Sequence, residues 1–392
     1  MKIRTSERAF ITRLLLAVGA SVLIAGPSAA AETQVKIGFA SPLTGSEASY
    51  GKDDQNGAQL ALDEANAANI KIGGKQVKFV LDSQDDQADP RTAVQVAQRL
   101  VDDKVAVVIG HLNSGTTIPA SRIYNAAGIP MITPSATNPT ITNQGYDYIF
   151  SIIATDAQNA GNAGKHAVEV MKAKRIGVID DRTAFGQGET DEFDKAVKAA
   201  GGAIVDREFT SDKATDFHSQ VTSLKAKNVD LVFFGGLDAL AANFVKQMRQ
   251  LGLKATFVAG GGVKDEEFIK IAGPDAEDAM AWEYGSPLEL SPSGKNLEEK
   301  FKRTFNVLPL AYGQYFYDAT WLAIRVMQDA DSVDPKVYLP KLKNIVFQGA
   351  TGQIAFNKNG SLKGGSSTLY QVKNGAWVVI ETKDGMKADT VH

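Results

Sequence analysis

The sequence predicts an α/β protein of two doubly wound, parallel-sheet lobes. Short apolar runs of strand length alternate with segments of helical spacing, and this alternation runs through twice. Strands joined by helices need right-handed crossovers, which make parallel sheets covered on both faces. The 392 residues hold no cysteine, so the hydrophobic core carries the fold without disulfides.

Residues 1–31 read as a signal peptide. Lys2, Arg4, Arg8 and Arg13 form a positive segment ahead of the apolar run from Leu14 to Ala25. About a dozen apolar residues are too few for a membrane span, and Ala29-Ala30-Ala31 fits the small-residue cleavage pattern. A chain exported to the periplasm and starting at Glu32 is expected, with no later membrane insertion. No cysteine follows the apolar run to carry a lipid. The full chain has 42 basic and 45 acidic residues; without the first 31 it has 38 and 44, a net of -6. That mild acidity argues against nucleic acid and anionic membrane as partners.

In the first block, Val35–Phe39 is a strand and Tyr50–Ala67 a helix. Val77–Leu81 is a strand. Asp89-Pro90 opens a helix, since aspartate caps well and proline fits the first helical position. Val94, Ala97, Leu100 and Val101 repeat along it. Val105–Ile109, Thr116–Ala127 and Met131–Thr133 follow as strand, helix and strand. The second block runs Arg175–Ile179 (strand), Glu189–Ala200 (helix), Ala203–Phe209 (strand) and Phe217–Lys227 (helix). It closes with Leu231–Phe234 (strand), Ala239–Leu251 (helix) and Thr256–Ala259 (strand). Tyr148–Ile153 and Ala279–Tyr284 read as extended connections. Two helical stretches are expected after Ser291, then strands within Gly349–Ala355 and Leu369–Ile380. Asn357-Lys358-Asn359-Gly360 is a turn signal between these last two.

Open parallel sheets bind ligands beyond the carboxyl ends of their strands. Two loops in that position are rich in hydroxyls: Ser114-Gly115-Thr116 and Thr133-Pro134-Ser135-Ala136-Thr137. Ser114 opens a helix whose first amides are free, and free amides with the helix dipole favour an anion such as a carboxylate. Ser114 as a plain N-cap and Thr137 as a plain turn residue are the competing reading. Enzyme signals are weak. The chain has no G-x-S-x-G elbow, no phosphate loop and no H-E-x-x-H. His111 lies three residues before Ser114, but closeness in sequence makes no triad. The other histidines lack metal-ligand spacing, so no metal and no cofactor are expected. Phe185-Gly186-Gln187-Gly188 reads as a loop opening the helix from Glu189.

Six segments carry a family resemblance: GFASPLTG from Gly38, ASYG from Ala48, VIGHLNSGTT from Val108, MITPSATNP from Met131, FGQG from Phe185 and FFGG from Phe233. In their order and spacing the chain resembles the periplasmic leucine/isoleucine/valine-binding proteins of ABC importers. The resemblance implies the type I periplasmic-binding fold, with two lobes joined by a three-strand hinge and a ligand clamped between them. Lobe 1 would span 32–153 plus 285–362, and lobe 2 154–284 plus 363–392. It further implies a monomer that captures a small amino acid, branched-chain or aliphatic, for a membrane permease.

Site roles follow from the same resemblance. Ser114 and Thr137 would take the ligand's α-carboxylate. The Ser135 carbonyl and the Thr137 hydroxyl would take the α-ammonium, with Ala136 between them in the same loop. Tyr50, Leu112, Asn113, Phe185 and Tyr312 would wall the side-chain pocket, Tyr50 and Phe185 from glycine-flanked loops. Two departures matter. Family members that bind aliphatic amino acids carry an acid where this chain has Gly261. Asp238 is the candidate to replace that charge, and Glu283 a weaker one. A cysteine pair of some members is replaced by Ala88 and Asn113. With Gly261 and Asn113 in place, an aromatic or dicarboxylic acid is the alternative ligand. A sensor subunit that presents its ligand to a receptor would use the same clamp.

Overall fold

The computed structural model describes residues 33–383. The signal-peptide reading of residues 1–31, the start at Glu32 and the tail 384–392 lie outside the described residues.

The first sheet holds β1 (Thr33–Ser41), β2 (Lys71–Ile72), β3 (Lys75–Asp85), β4 (Val107–Gly110), β5 (Met131–Thr133) and β6 (Ile149–Ser151). Their order is β2-β3-β1-β4-β5-β6. All pairs are parallel except the edge strand β2, which runs antiparallel to β3. Helices α1 (Ala48–Ala67), α2 (Pro90–Asp102), α3 (Ser114–Ala127) and the short α4 (Thr140–Asn143) connect them.

The second block runs α5 (Asp156–Glu169), β7 (Ile176–Asp180), α6 (Ala184–Ala199), β8 (Ile204–Phe209), α7 (His218–Ala226) and β9 (Leu231–Gly235). It continues with α8 (Asp238–Gln250), β10 (Thr256–Ala259), α9 (Glu266–Ala272) and β11 (Met280–Tyr284). Three helices follow: α10 (Pro292–Phe305), α11 (Gly313–Ala330) and α12 (Pro335–Lys343). The chain ends in β12 (Val346–Gln348), β13 (Gln353–Ala355), β14 (Ser367–Lys373) and β15 (Ala376–Lys383). The second sheet has the order β15-β14-β11-β10-β9-β7-β8, with β14 and β15 antiparallel at one edge. The chain leaves the first sheet for the second after β6, leaves the second after β11 to pack α11 on the first, and returns to the second before β14.

Period-two alternation decides which residues serve which face. On β1, Val35, Ile37 and Phe39 turn to the face covered by α1 and α11, where they meet Leu62 and Phe316. Ala40 turns to the other face, with Leu100, Val108 and Tyr124. On the second sheet, Val232 and Phe234 pack with Phe244 and Phe257, while Phe233 stacks on Phe193 with centroids 4.0 Å apart. Each such side chain contributes roughly 1.5–3 kcal/mol by burial.

Several expectations need correction. Among the described residues three helices, not two, follow Ser291. Ala279–Tyr284 is not a free connection: β11 lies inside the second sheet, between β10 and β14. Its Trp282 is 1% exposed, so the ring belongs to that lobe's core. The buried stripe of α2 is Ala93, Val96, Ala97 and Leu100, whereas Val94 is 38% exposed. Tyr50 lies inside α1, as the helix expected from Tyr50 has it and not in a glycine-flanked loop, and Phe185 lies in a helix, not a loop. At Phe185 the reason is Thr183. Its hydroxyl accepts from the Gly186 amide at 3.0 Å and starts α6 five residues ahead of Glu189.

Candidate functional site

The two hydroxyl-rich loops lie side by side beyond β4 and β5, and their own hydrogen bonds lock them together. The Ser135 hydroxyl lies 3.1 Å from the Leu112 carbonyl, as its donor, and the Thr133 hydroxyl reaches the His111 carbonyl at 3.2 Å. The Asn113 carbonyl accepts from the amides of Thr116 and Thr117 at 3.2 and 2.9 Å. Asn113 is thus the residue at the N-cap of α3, and Ser114 is the first residue of the helix. Ser114 Oγ accepts from the Asn138 amide at 3.3 Å. The first helical amides, at Ser114 and Gly115, are among those a helix cannot satisfy internally. Both Ser114 and Thr137 are 1% exposed.

An apolar pocket opens beside this socket. The first lobe contributes Tyr50, Leu112, Asn113, Ser114, Ser135 and Tyr312; the second contributes Phe185 and Leu237. The structure therefore brings together seven of the ten sequence-predicted residues. Ala136 instead packs into the core behind the sheet. Thr137 lies deeper. Its hydroxyl accepts from the Tyr284 hydroxyl at 3.2 Å and its carbonyl from the Asp156 amide at 3.0 Å. Asp238 starts α8, and its amide donates to the Gly262 carbonyl at 3.2 Å. Its carboxyl is hydrogen-bonded to Asp265. Burial and that neighbour push the Asp265 pKa up to about 8.

The lobes touch across the pocket. The Tyr50 hydroxyl lies 3.2 Å from the Gly262 carbonyl and 3.3 Å from Asp265 Oδ2. Asn138 Nδ2 donates to the Ala184 carbonyl at 2.7 Å. Asn113 Nδ2 donates to Glu47 Oε2 at 2.7 Å, and burial raises the Glu47 pKa to about 7. Glu283 accepts from the amides of Gly262, Val263 and Lys264 at 3.0, 3.0 and 2.9 Å and so holds the glycine loop. His111 is fully buried, its ring nitrogens engaged by Asp86 at 2.6 Å and Tyr124 at 3.0 Å. It is not placed to activate Ser114.

Sequence reasoning missed Glu189, Asp156 and Tyr284. All three are buried, and the Tyr284 hydroxyl lies 2.9 Å from Asp156 Oδ1 and 3.1 Å from Glu189 Oε1. Burial raises the Asp156 pKa to about 7 and drives that of Glu189 well up, the neighbouring Asp156 adding to the effect. Gly188 makes this approach possible. A β-carbon there would come within 2.6 Å of the Asn138 side chain and 2.7 Å of Asp156. The one sequence signal was a glutamate directly after the glycine pair of FGQG.

Two α/β lobes meeting over a locked hydroxyl socket define a solute-binding clamp. The chain belongs to the periplasmic binding protein family, whose model matches residues 34–376. It is 36% identical over 368 residues to an amino acid binding protein of Pseudomonas aeruginosa, covering 93% of this chain and 97% of that one. It is 35% identical over 363 residues to a leucine-, isoleucine-, valine-, threonine- and alanine-binding protein of the same organism, covering 92% and 96%. Among solved structures, a leucine binding protein from Thermotoga maritima superposes with a TM-score of 0.81. That match is at 26% identity and covers 91% of this chain and all of the other. Among the described residues, no helix is long and apolar enough to cross a membrane.

Proposed function

We propose that this protein is the periplasmic subunit of an ABC importer and captures a small aliphatic amino acid between its lobes. The observation that carries the reading is the socket. The first amides of α3, the Ser114 hydroxyl and the Thr137 loop converge beside a pocket walled by Leu112, Phe185, Leu237 and two tyrosines. An α-carboxylate suits the amides and an apolar side chain suits the wall. The relative from Pseudomonas aeruginosa named for leucine, isoleucine, valine, threonine and alanine supports the same ligand class. The moving bodies in this reading are 32–153 with 285–362, and 154–284 with 363–392. The binding roles of Tyr50, Leu112, Asn113, Ser114, Ser135, Thr137, Phe185 and Tyr312 belong to the proposal, as does a monomer that docks on a permease.

Ligand binding shifts an open–closed equilibrium by its differential affinity for the closed form. Closure joins Tyr50 to Gly262 and Asn138 to Ala184, so a bound ligand is sealed by contacts it does not itself make.

Gly261 favours a second reading, in which the ligand is a plain aromatic or dicarboxylic acid. The test is thermal unfolding of protein stripped of ligand by unfolding and refolding. The panel is leucine, isoleucine, valine, alanine and threonine, each beside its des-amino acid, with benzoate and succinate added. A ligand at about a thousand times its Kd adds roughly 4 kcal/mol. A rise with amino acids alone supports capture of amino acids; a rise with organic acids alone overturns it.

A further inference from the structure

We propose that Glu189, on α6 of the second lobe, is the carboxylate that receives the ligand's α-ammonium in this protein. The inference rests on the amino-acid reading above.

The second lobe buries a surplus of acceptors. Glu189 and Asp156 are both fully buried. Glu189 Oε1 accepts from the Gly261 amide at 2.8 Å and from Tyr284 at 3.1 Å, while Oε2 has no partner. Asp156 Oδ2 is likewise without a partner. The donors to this cluster are the Gly261 amide and the hydroxyls of Tyr284 and Thr137, and the carboxyls bearing on Glu189 are Asp156 and Glu283. Buried carboxylate oxygens without donors are costly. The partner that satisfies both is a cationic donor with several N–H bonds.

Position narrows the cation. The α-carboxylate and α-ammonium of an amino acid sit on one carbon, so their receptors must adjoin. Thr137 adjoins both: its loop faces Ser114, and its hydroxyl meets Tyr284 within the carboxylate cluster. The alternatives are committed elsewhere, Glu283 to three loop amides and Asp238 to Asp265.

The glycine loop explains the exchange. A β-carbon on Gly260 would fall 2.0 Å from Glu189 Oε1, and one on Gly261 would fall 2.1 Å from the Tyr284 ring. A side chain at 261 and the observed placing of Tyr284 exclude one another. The charge has moved from the loop to the helix facing it.

The test titrates refolded wild type and Glu189→Gln with the panel's tightest amino acid and with its des-amino acid. The expected result is a loss of about 100-fold or more for the amino acid, with the des-amino acid bound as before or more tightly. Unchanged amino-acid affinity overturns the role of Glu189 and leaves the capture reading standing. Equal loss of both ligands also overturns it, because a merely structural role weakens both. Wild type that binds only the des-amino acid overturns the amino-acid reading itself. Should E189Q fail to fold, wild-type calorimetry at pH 7 in buffers of different ionisation enthalpy decides. Facing Glu189 are Asp156 on α5, Tyr284 and Glu283 on β11, and Tyr312 at the start of α11. Carboxyls kept protonated among them must ionise to receive an ammonium, so proton release is expected. No proton exchange overturns the proposal.

Discussion

Gly261 and Tyr284 compete for one space: a β-carbon on Gly261 would lie 2.1 Å from Tyr284 Cε2. Tyr284 uses that space to bring its hydroxyl within reach of Thr137, Asp156 and Glu189. Gly261→Ala should therefore destabilise the closed form by about 1–3 kcal/mol, as overpacking does. Adding Tyr284→Ala should recover part of that loss. Thermal unfolding of the two single variants and the double variant measures the coupling, and purely additive effects would count against the shared space.

Ser114 starts the helix with the free amides, and the Thr137 hydroxyl lies deeper, against Tyr284. Replacing Ser114 and Thr137 with alanine should weaken capture by about 100-fold or more, since hydrogen bonds to a charged group contribute about 1.5–3 kcal/mol each. Calorimetric titration checks this. Unchanged affinity would remove the carboxylate socket from the account.

In the proposed clamp, Tyr50 closes the cleft from the first lobe. Tyr50→Phe removes the hydroxyl that reaches Gly262 and Asp265 but keeps the ring against Tyr312. Losing one such bond costs about 0.5–1.5 kcal/mol of the closed state. Affinity should fall by about 2- to 13-fold while the ligand-free midpoint hardly moves, and small-angle scattering should show a more open ligand-free ensemble. A large drop in midpoint would mean that Tyr50 is chiefly a core residue.

The pH dependence follows from burial. It raises the pKa of Asp156 and Glu47 to about 7, of Asp265 to about 8, and of Asp181 and Asp318 to about 6. Each group binds its proton more tightly folded than unfolded, where carboxyls titrate near 4. The stability they add is present at low pH and is lost as pH rises through about 6 to 8. The ligand-free Tm should fall between pH 5 and pH 8. Bound amino acid should flatten the fall, because its ammonium favours the ionised forms of Asp156 and Glu189. A Tm that rises over this range would contradict the assignment.

The fold was legible where local chemistry decides it. Asp89 before Pro90 announced its helix, and the aspartate does accept from the amides of Arg91 and Thr92 at 2.9 and 2.8 Å. Short apolar runs placed most strands of both sheets. Phe185 was misplaced because its helix starts at a threonine cap, and two glycines in the first turns read as a loop. The socket at Ser114 and Thr137 was visible as hydroxyls after strand ends. Glu189 was not. A glutamate near a helix start is ordinarily a solvated residue, and its burial depends on Gly188 of one segment meeting Gly260 and Gly261 of another. No local pattern encodes that meeting.

The most direct measurement is a crystal structure of the refolded protein with the amino acid that raises its midpoint most. The account predicts the ligand carboxylate on the amides beside Ser114 and Thr137, with its ammonium within hydrogen-bond distance of Glu189. An ammonium held by Asp238 instead, or a ligand bound away from Ser114, would contradict it.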